Sequence, residues 1–67
     1  MKTREFRAAL RELDLTQVEA ARLLGSDTRT VRRYALDETA IPPAVATLLR
    51  LMVAGKVAVS DIEGVRG

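Results

Sequence analysis

Apolar residues recur along this chain at intervals of three and four, the period that lines one side of an α-helix. Phe6, Ala9, Leu10 and Leu13 form the first such stripe, with Arg4, Arg7 and Arg11 on another face and Thr3 placed to cap the start. This spacing predicts an amphipathic helix of about three turns. After the turn Asp14-Leu15, the run Thr16-Gln17-Val18-Glu19 fits a capping box, in which the Thr16 hydroxyl and the Glu19 carboxylate each accept a backbone N–H. A second helix is predicted from Gln17 to Leu24, closed by Gly25 in the left-handed conformation.

Asp27 is a good N-cap for a third helix from Thr28, in which Val31 and Tyr34 face inward and Arg29, Arg32 and Arg33 face elsewhere. Its end is placed near Leu36, although no glycine follows it. Ile41-Pro42-Pro43 breaks the chain, and a proline at the first helical position starts a fourth helix. Val45, Leu48, Leu49 and Met52 form its apolar stripe, and Gly55 is its stop. Val57-Ala58-Val59 has strand propensity, while Ser60-Asp61-Ile62-Glu63 suits a last helical turn. The expected fold is all-α: four to five short helices around one small core, a single domain over 1–67.

Length sharpens this picture, because a chain of 67 residues buries only about 60% of the surface its unfolded form exposes. Cysteine is absent, so no disulfide or thiolate metal site can reinforce the fold. Histidine is absent too, which removes the commonest general base and the commonest metal ligand. Dimerisation is the remaining reinforcement. No metal, cofactor or catalytic site is expected, since no glycine-rich phosphate loop and no placed pair of acids accompanies the carboxylates. No apolar run approaches a membrane span and the N-terminus is charged, so the chain is expected to be cytoplasmic, with no membrane partner.

The formal charge of +2 is unevenly spread. Lys2, Arg4, Arg7 and Arg11 outnumber Glu5 in one basic block, and Arg22, Arg29, Arg32 and Arg33 outnumber Asp27 in another. The remainder is acidic on balance. For a polyanionic partner this distribution matters more than the sum.

The segment from Thr16 to Tyr34 carries the function. Two short helices meeting through a tight turn need a small residue at the crossing, a residue tolerant of positive φ and an apolar support under the second helix. Ala21, Gly25 and Val31 supply these in that order, with Ala20, Leu24 and Tyr34 at the other inward positions. The segment resembles the helix-turn-helix of the Cro-type (XRE) repressor family, with the motif at 16–36. The likeness extends through Leu15-Thr16-Gln17 and Ile41-Pro42-Pro43, covering about Phe6 to Met52. Ser26 departs from it where the family has an apolar turn residue, and Tyr34 where tryptophan is frequent.

The resemblance implies that the third helix lies in the DNA major groove, with Thr28, Arg29, Arg32 and Arg33 directed at base edges. Paired guanidinium donors match guanine O6 and N7, so guanines are expected in the half-site. Arg32 is open to a base or a phosphate, and Thr28 to a thymine methyl or a phosphate. Gln17, Thr30, Tyr34 and Arg4 are candidates for phosphate contacts, and Arg7 and Arg11 for sequence-independent ones. The bland alternative for each arginine is a solvated face, and for Tyr34 a core role.

One module makes few base contacts, whereas a homodimer reads two half-sites about 34–36 Å apart on an inverted repeat. The segment 43–67 completes the core, and Leu51, Val53, Val57, Val59 and Ile62 are the candidate dimer residues. The expected function is a stand-alone repressor that regulates its own operon, as do phage repressors and the small repressors encoded beside anti-CRISPR genes. No small-molecule effector is expected. The alternative is a protein-interaction module or antitoxin whose basic helix binds an acidic partner.

Overall fold

Each apolar stripe folds as a helix because burying it against its neighbours is the principal gain open to so short a chain. The computed structural model describes residues 1–58, 60 and 61, and holds α1 (Thr3–Glu12), α2 (Gln17–Leu24), α3 (Thr28–Ala35) and α4 (Pro43–Val53). Among the described residues there is no strand, so the fold is all-α. The predicted starts of α2, α3 and α4 hold. Thr16 Oγ1 accepts the Glu19 N–H at 3.1 Å while Glu19 Oε1 accepts the Thr16 N–H at 2.9 Å, the reciprocal capping box. Asp27 Oδ1 accepts the Thr30 N–H at 2.7 Å, and Pro43 opens α4.

The helix ends share one device. Among the described residues, positive φ occurs at Asp14 (57°), Gly25 (70°), Asp37 (61°) and Gly55 (77°), one directly beyond each helix or its capping residue. At each, the next backbone N–H reaches back to a carbonyl of the last turn: Leu15 to Leu10 at 2.9 Å, Ser26 to Ala21 at 3.0 Å, Glu38 to Arg33 at 2.9 Å and Lys56 to Leu51 at 2.9 Å. This closure satisfies carbonyls that the helix leaves without partners. Asp37 does for α3 what the absent glycine would have done, because a short polar side chain tolerates the left-handed region.

Phe6, Ala9 and Leu10 of α1 meet Ala20, Ala21 and Leu23 of α2, Val31, Tyr34 and Ala35 of α3, and Leu49 and Met52 of α4 in one core. Phe6, Val31 and Leu49 are fully enclosed, and Ala46 is also buried. The Phe6 and Tyr34 rings stand edge to face, centroids 5.7 Å apart at 74°, an arrangement aromatic quadrupoles favour. Helix α1 packs against both α3 and α4, and α2 packs chiefly against α3.

Three sequence expectations are corrected, at the cap of α1, the buried leucine of α2 and the inner row of α4, while the helical reading of the tail holds for Ser60 and Asp61. Lys2, not Thr3, holds the N-cap position of α1, and it makes no side-chain capping bond. Thr3 is the first helical residue because its hydroxyl is committed elsewhere: it donates to the Tyr34 carbonyl oxygen at 2.8 Å and lies 3.3 Å from Asp37 Oδ1. Leu23, not Leu24, is the buried leucine of α2, Leu24 being only half-buried. On α4 the innermost row is Ala46, Leu49 and Met52, with Val45 and Leu48 half-buried at its flanks. In the tail, Ser60 and Asp61 are helical, and Asp61 Oδ2 accepts the Ala58 N–H at 2.9 Å. Glu63 lies outside the described residues, as do Val59 and Ile62.

Candidate nucleic-acid interface

Helix α3 is short, and its apolar residues Val31, Tyr34 and Ala35 consume one side of it. The rest faces outward. Arg29, Arg32 and Arg33 are exposed and, at 100° per residue, fall within an arc of about 100° around the axis. Thr28 is exposed about 40° outside that arc, and Thr30 is half-buried on its other flank. Among the described residues the one ion pair is Arg50 with Glu5, so none of the three guanidinium groups of α3 is paired with a carboxylate there. Each retains its full fork of N–H donors, which matches two adjacent acceptors on a guanine edge or a phosphate.

The turn 25–27 holds α3 against α2. The Ser26 N–H bonds to the Ala21 carbonyl, the left-handed Gly25 reverses the chain, and Asp27 caps the start of α3. Hydrogen bonds from the Thr30 side chain and backbone N–H hold the Asp27 carboxyl below the usual carboxylate range, with smaller help from Arg29 and Arg33. Thr16 does the same for Glu19 at the start of α2, through its backbone N–H first and its hydroxyl second. Gln17, the first residue of α2, is exposed beside that capped end.

Tyr34 is 6% exposed, its ring in the core, so only an edge remains for any ligand. Arg4 lies on α1, not on α3. With Arg7 and Arg11 it lines one basic face, while Glu5 and Glu12 of the same helix turn toward α4. There Glu5 takes two hydrogen bonds from Arg50, at 2.9 and 3.0 Å, which hold its carboxyl low and raise the guanidinium.

The candidate dimer residues are not brought together on one face. Leu51 and Val53 are 39% and 38% exposed but lie about 160° apart around α4. Val57 is half-buried against the core, and Val59 and Ile62 fall outside the described residues. Two exposed apolar residues escaped the sequence reading, Val18 of α2, 56% exposed, and Leu36. Leu36, taken there only as the end of α3, is 49% exposed on the arginine side of the helix. Helical phase places it there once α3 is extended by one residue.

The chain matches no protein-family model, no curated protein and no solved structure.

Proposed function

We propose that the protein is a sequence-specific double-stranded DNA-binding repressor with a Cro-type helix-turn-helix, acting as a homodimer on an inverted-repeat operator and regulating its own operon. The observation that carries this reading is the row Arg29, Arg32 and Arg33, exposed and, among the described residues, in no ion pair, on a helix whose other side is fixed to α2 through a three-residue turn. A helix about 10–12 Å across fits a major groove of about 12 Å. Arg29 and Arg33 read guanine O6 and N7, Arg32 takes a base or a phosphate, and Thr28 touches a thymine methyl or a phosphate. Gln17 and Thr30, flanking that helix, hold the backbone. Arg4 and the edge of Tyr34 add phosphate contacts.

The test is selection from random duplex DNA, repeated with Arg33→Ala and at two salt concentrations. Recovery of a guanine-containing inverted repeat is expected, with relaxed preference in the variant and an affinity that falls steeply with salt, the slope being about 0.9 per phosphate neutralised. No enrichment at a salt level where bulk DNA is still bound overturns sequence-specific reading and favours an acidic protein partner instead.

A further inference from the structure

Leu36 stands where a purely electrostatic DNA grip would have no use for it. Its N–H donates to the Arg32 carbonyl at 3.0 Å, so its position continues the spiral of α3 by one residue. The left-handed Asp37 then turns the chain away, and the Glu38 N–H closes on the Arg33 carbonyl, which fixes Leu36 at the rim. Its helical neighbours three, four and seven residues back are Arg33, Arg32 and Arg29, all exposed. An apolar tip, half in solvent, is thus framed by three cations.

That combination has a specific complement in duplex DNA. The major groove offers acceptors on guanine and adenine, donors on adenine and cytosine, and one apolar group, the thymine 5-methyl. Guanidinium groups satisfy the acceptors; leucine has neither donor nor acceptor and can gain only from the methyl. At 1.5 Å per residue Leu36 lies about 10.5 Å along the helix from Arg29, against 3.4 Å per base-pair step. We infer that Leu36 is a specificity-determining residue that packs on a thymine methyl, about three base pairs from the guanine taken by Arg29. The inference rests on the DNA-binding reading above and adds a base that no hydrogen bond reads.

The experiment takes the operator recovered by the wild-type chain and replaces each thymine in turn by deoxyuridine, which removes the methyl and nothing else. Affinity is measured for the wild type, Leu36→Ala and Leu36→Met, with circular dichroism to show that each variant is folded. One position is expected at which uracil weakens wild-type binding about four-fold, the worth of one buried methyl group. Leu36→Ala loses that sensitivity and Leu36→Met, which keeps an apolar side chain, retains it. An operator with no uracil-sensitive position, or a sensitivity unchanged in Leu36→Ala, overturns the role of Leu36 while leaving the DNA-binding reading intact. Failure of the wild type to select any sequence overturns both.

Discussion

The Thr3 hydroxyl donates a 2.8 Å hydrogen bond to the carbonyl oxygen of Tyr34, joining the first turn of α1 to the last turn of α3 across 31 positions of sequence. That carbonyl also accepts the Asp37 N–H at 3.3 Å. Thr3 therefore supplies from outside α3 a partner for one of the groups that a helix end leaves exposed. Thr3→Val keeps the shape and removes the donor. A loss of about 1 kcal/mol is expected, which in a domain of this size lowers the thermal midpoint by about 4–8 °C. Thr3→Ser, which retains the hydroxyl, should recover most of it. Equal midpoints for Thr3→Val and the wild type would show that the bond contributes nothing.

Acid should loosen the molecule in a defined window. Glu5, Glu19 and Asp27 all titrate below their ordinary values, through bonds from Arg50, Thr16 and Thr30 respectively. A carboxylate with a depressed pKa contributes stability that is fully present above its unfolded value, about 4, and is lost as pH falls through the folded value. Thermal midpoints are thus expected to be level from neutrality to about pH 5 and to drop below about pH 4. Asp27→Asn and Glu19→Gln should each lower the neutral midpoint and flatten the acid fall. A fall of unchanged steepness in the double variant would remove the two caps as its cause.

The four left-handed residues make opposite demands on substitution. Gly25→Ala places a Cβ at φ 70° and is expected to cost about 1 kcal/mol. Asp14→Gly relieves the same strain at φ 57° and should raise the midpoint by a smaller amount. Denaturant titration of both variants checks the pair. A stabilising Gly25→Ala would mean that the turn does not require positive φ.

Leu49 and Leu51, with Arg50 between them, have different expected effects. Leu49 is fully enclosed, and a Leu→Ala change at such a site costs about 2–5 kcal/mol, a large fraction of what a small domain holds. Leu49→Ala is expected to be largely unfolded by circular dichroism. Under the proposed homodimer, Leu51→Glu should stay folded and shift sedimentation toward the monomer, because Ala44 and Leu48 extend its apolar row along α4. Val53→Glu, on the side furnished with Glu5, Glu12 and Arg50, should leave the sedimentation profile unchanged. A dimeric Leu51→Glu would move the interface off that row.

Much of this fold was legible because its signals are local. Thr16 with Glu19, Asp27 and Pro43 each announce a helix start within four residues, and the apolar spacing around Phe6 and Val31 picks out most of the core. The misses have a common origin in long-range structure or in an uncommon conformation. The partner of Thr3 lies 31 residues away, so nothing near it in sequence tells a cap from a tether. Gly25 and Gly55 advertise left-handed stops, while Asp14 and Asp37 adopt the same conformation with a side chain far more often found elsewhere. The arginines of α3 were legible as a row, and the structure adds that among the described residues none of them forms an ion pair. Leu36 was hidden by a one-residue uncertainty in where α3 ends.

Tyr34 is the sole tyrosine of a chain without tryptophan, and its ring lies edge to face with Phe6. Near-ultraviolet emission from the molecule is therefore dominated by one phenol, seated where α1 meets α3 and one residue beyond Arg33. The protein carries its own optical reporter at the root of its basic helix, readable without a label and with no tryptophan emission to subtract.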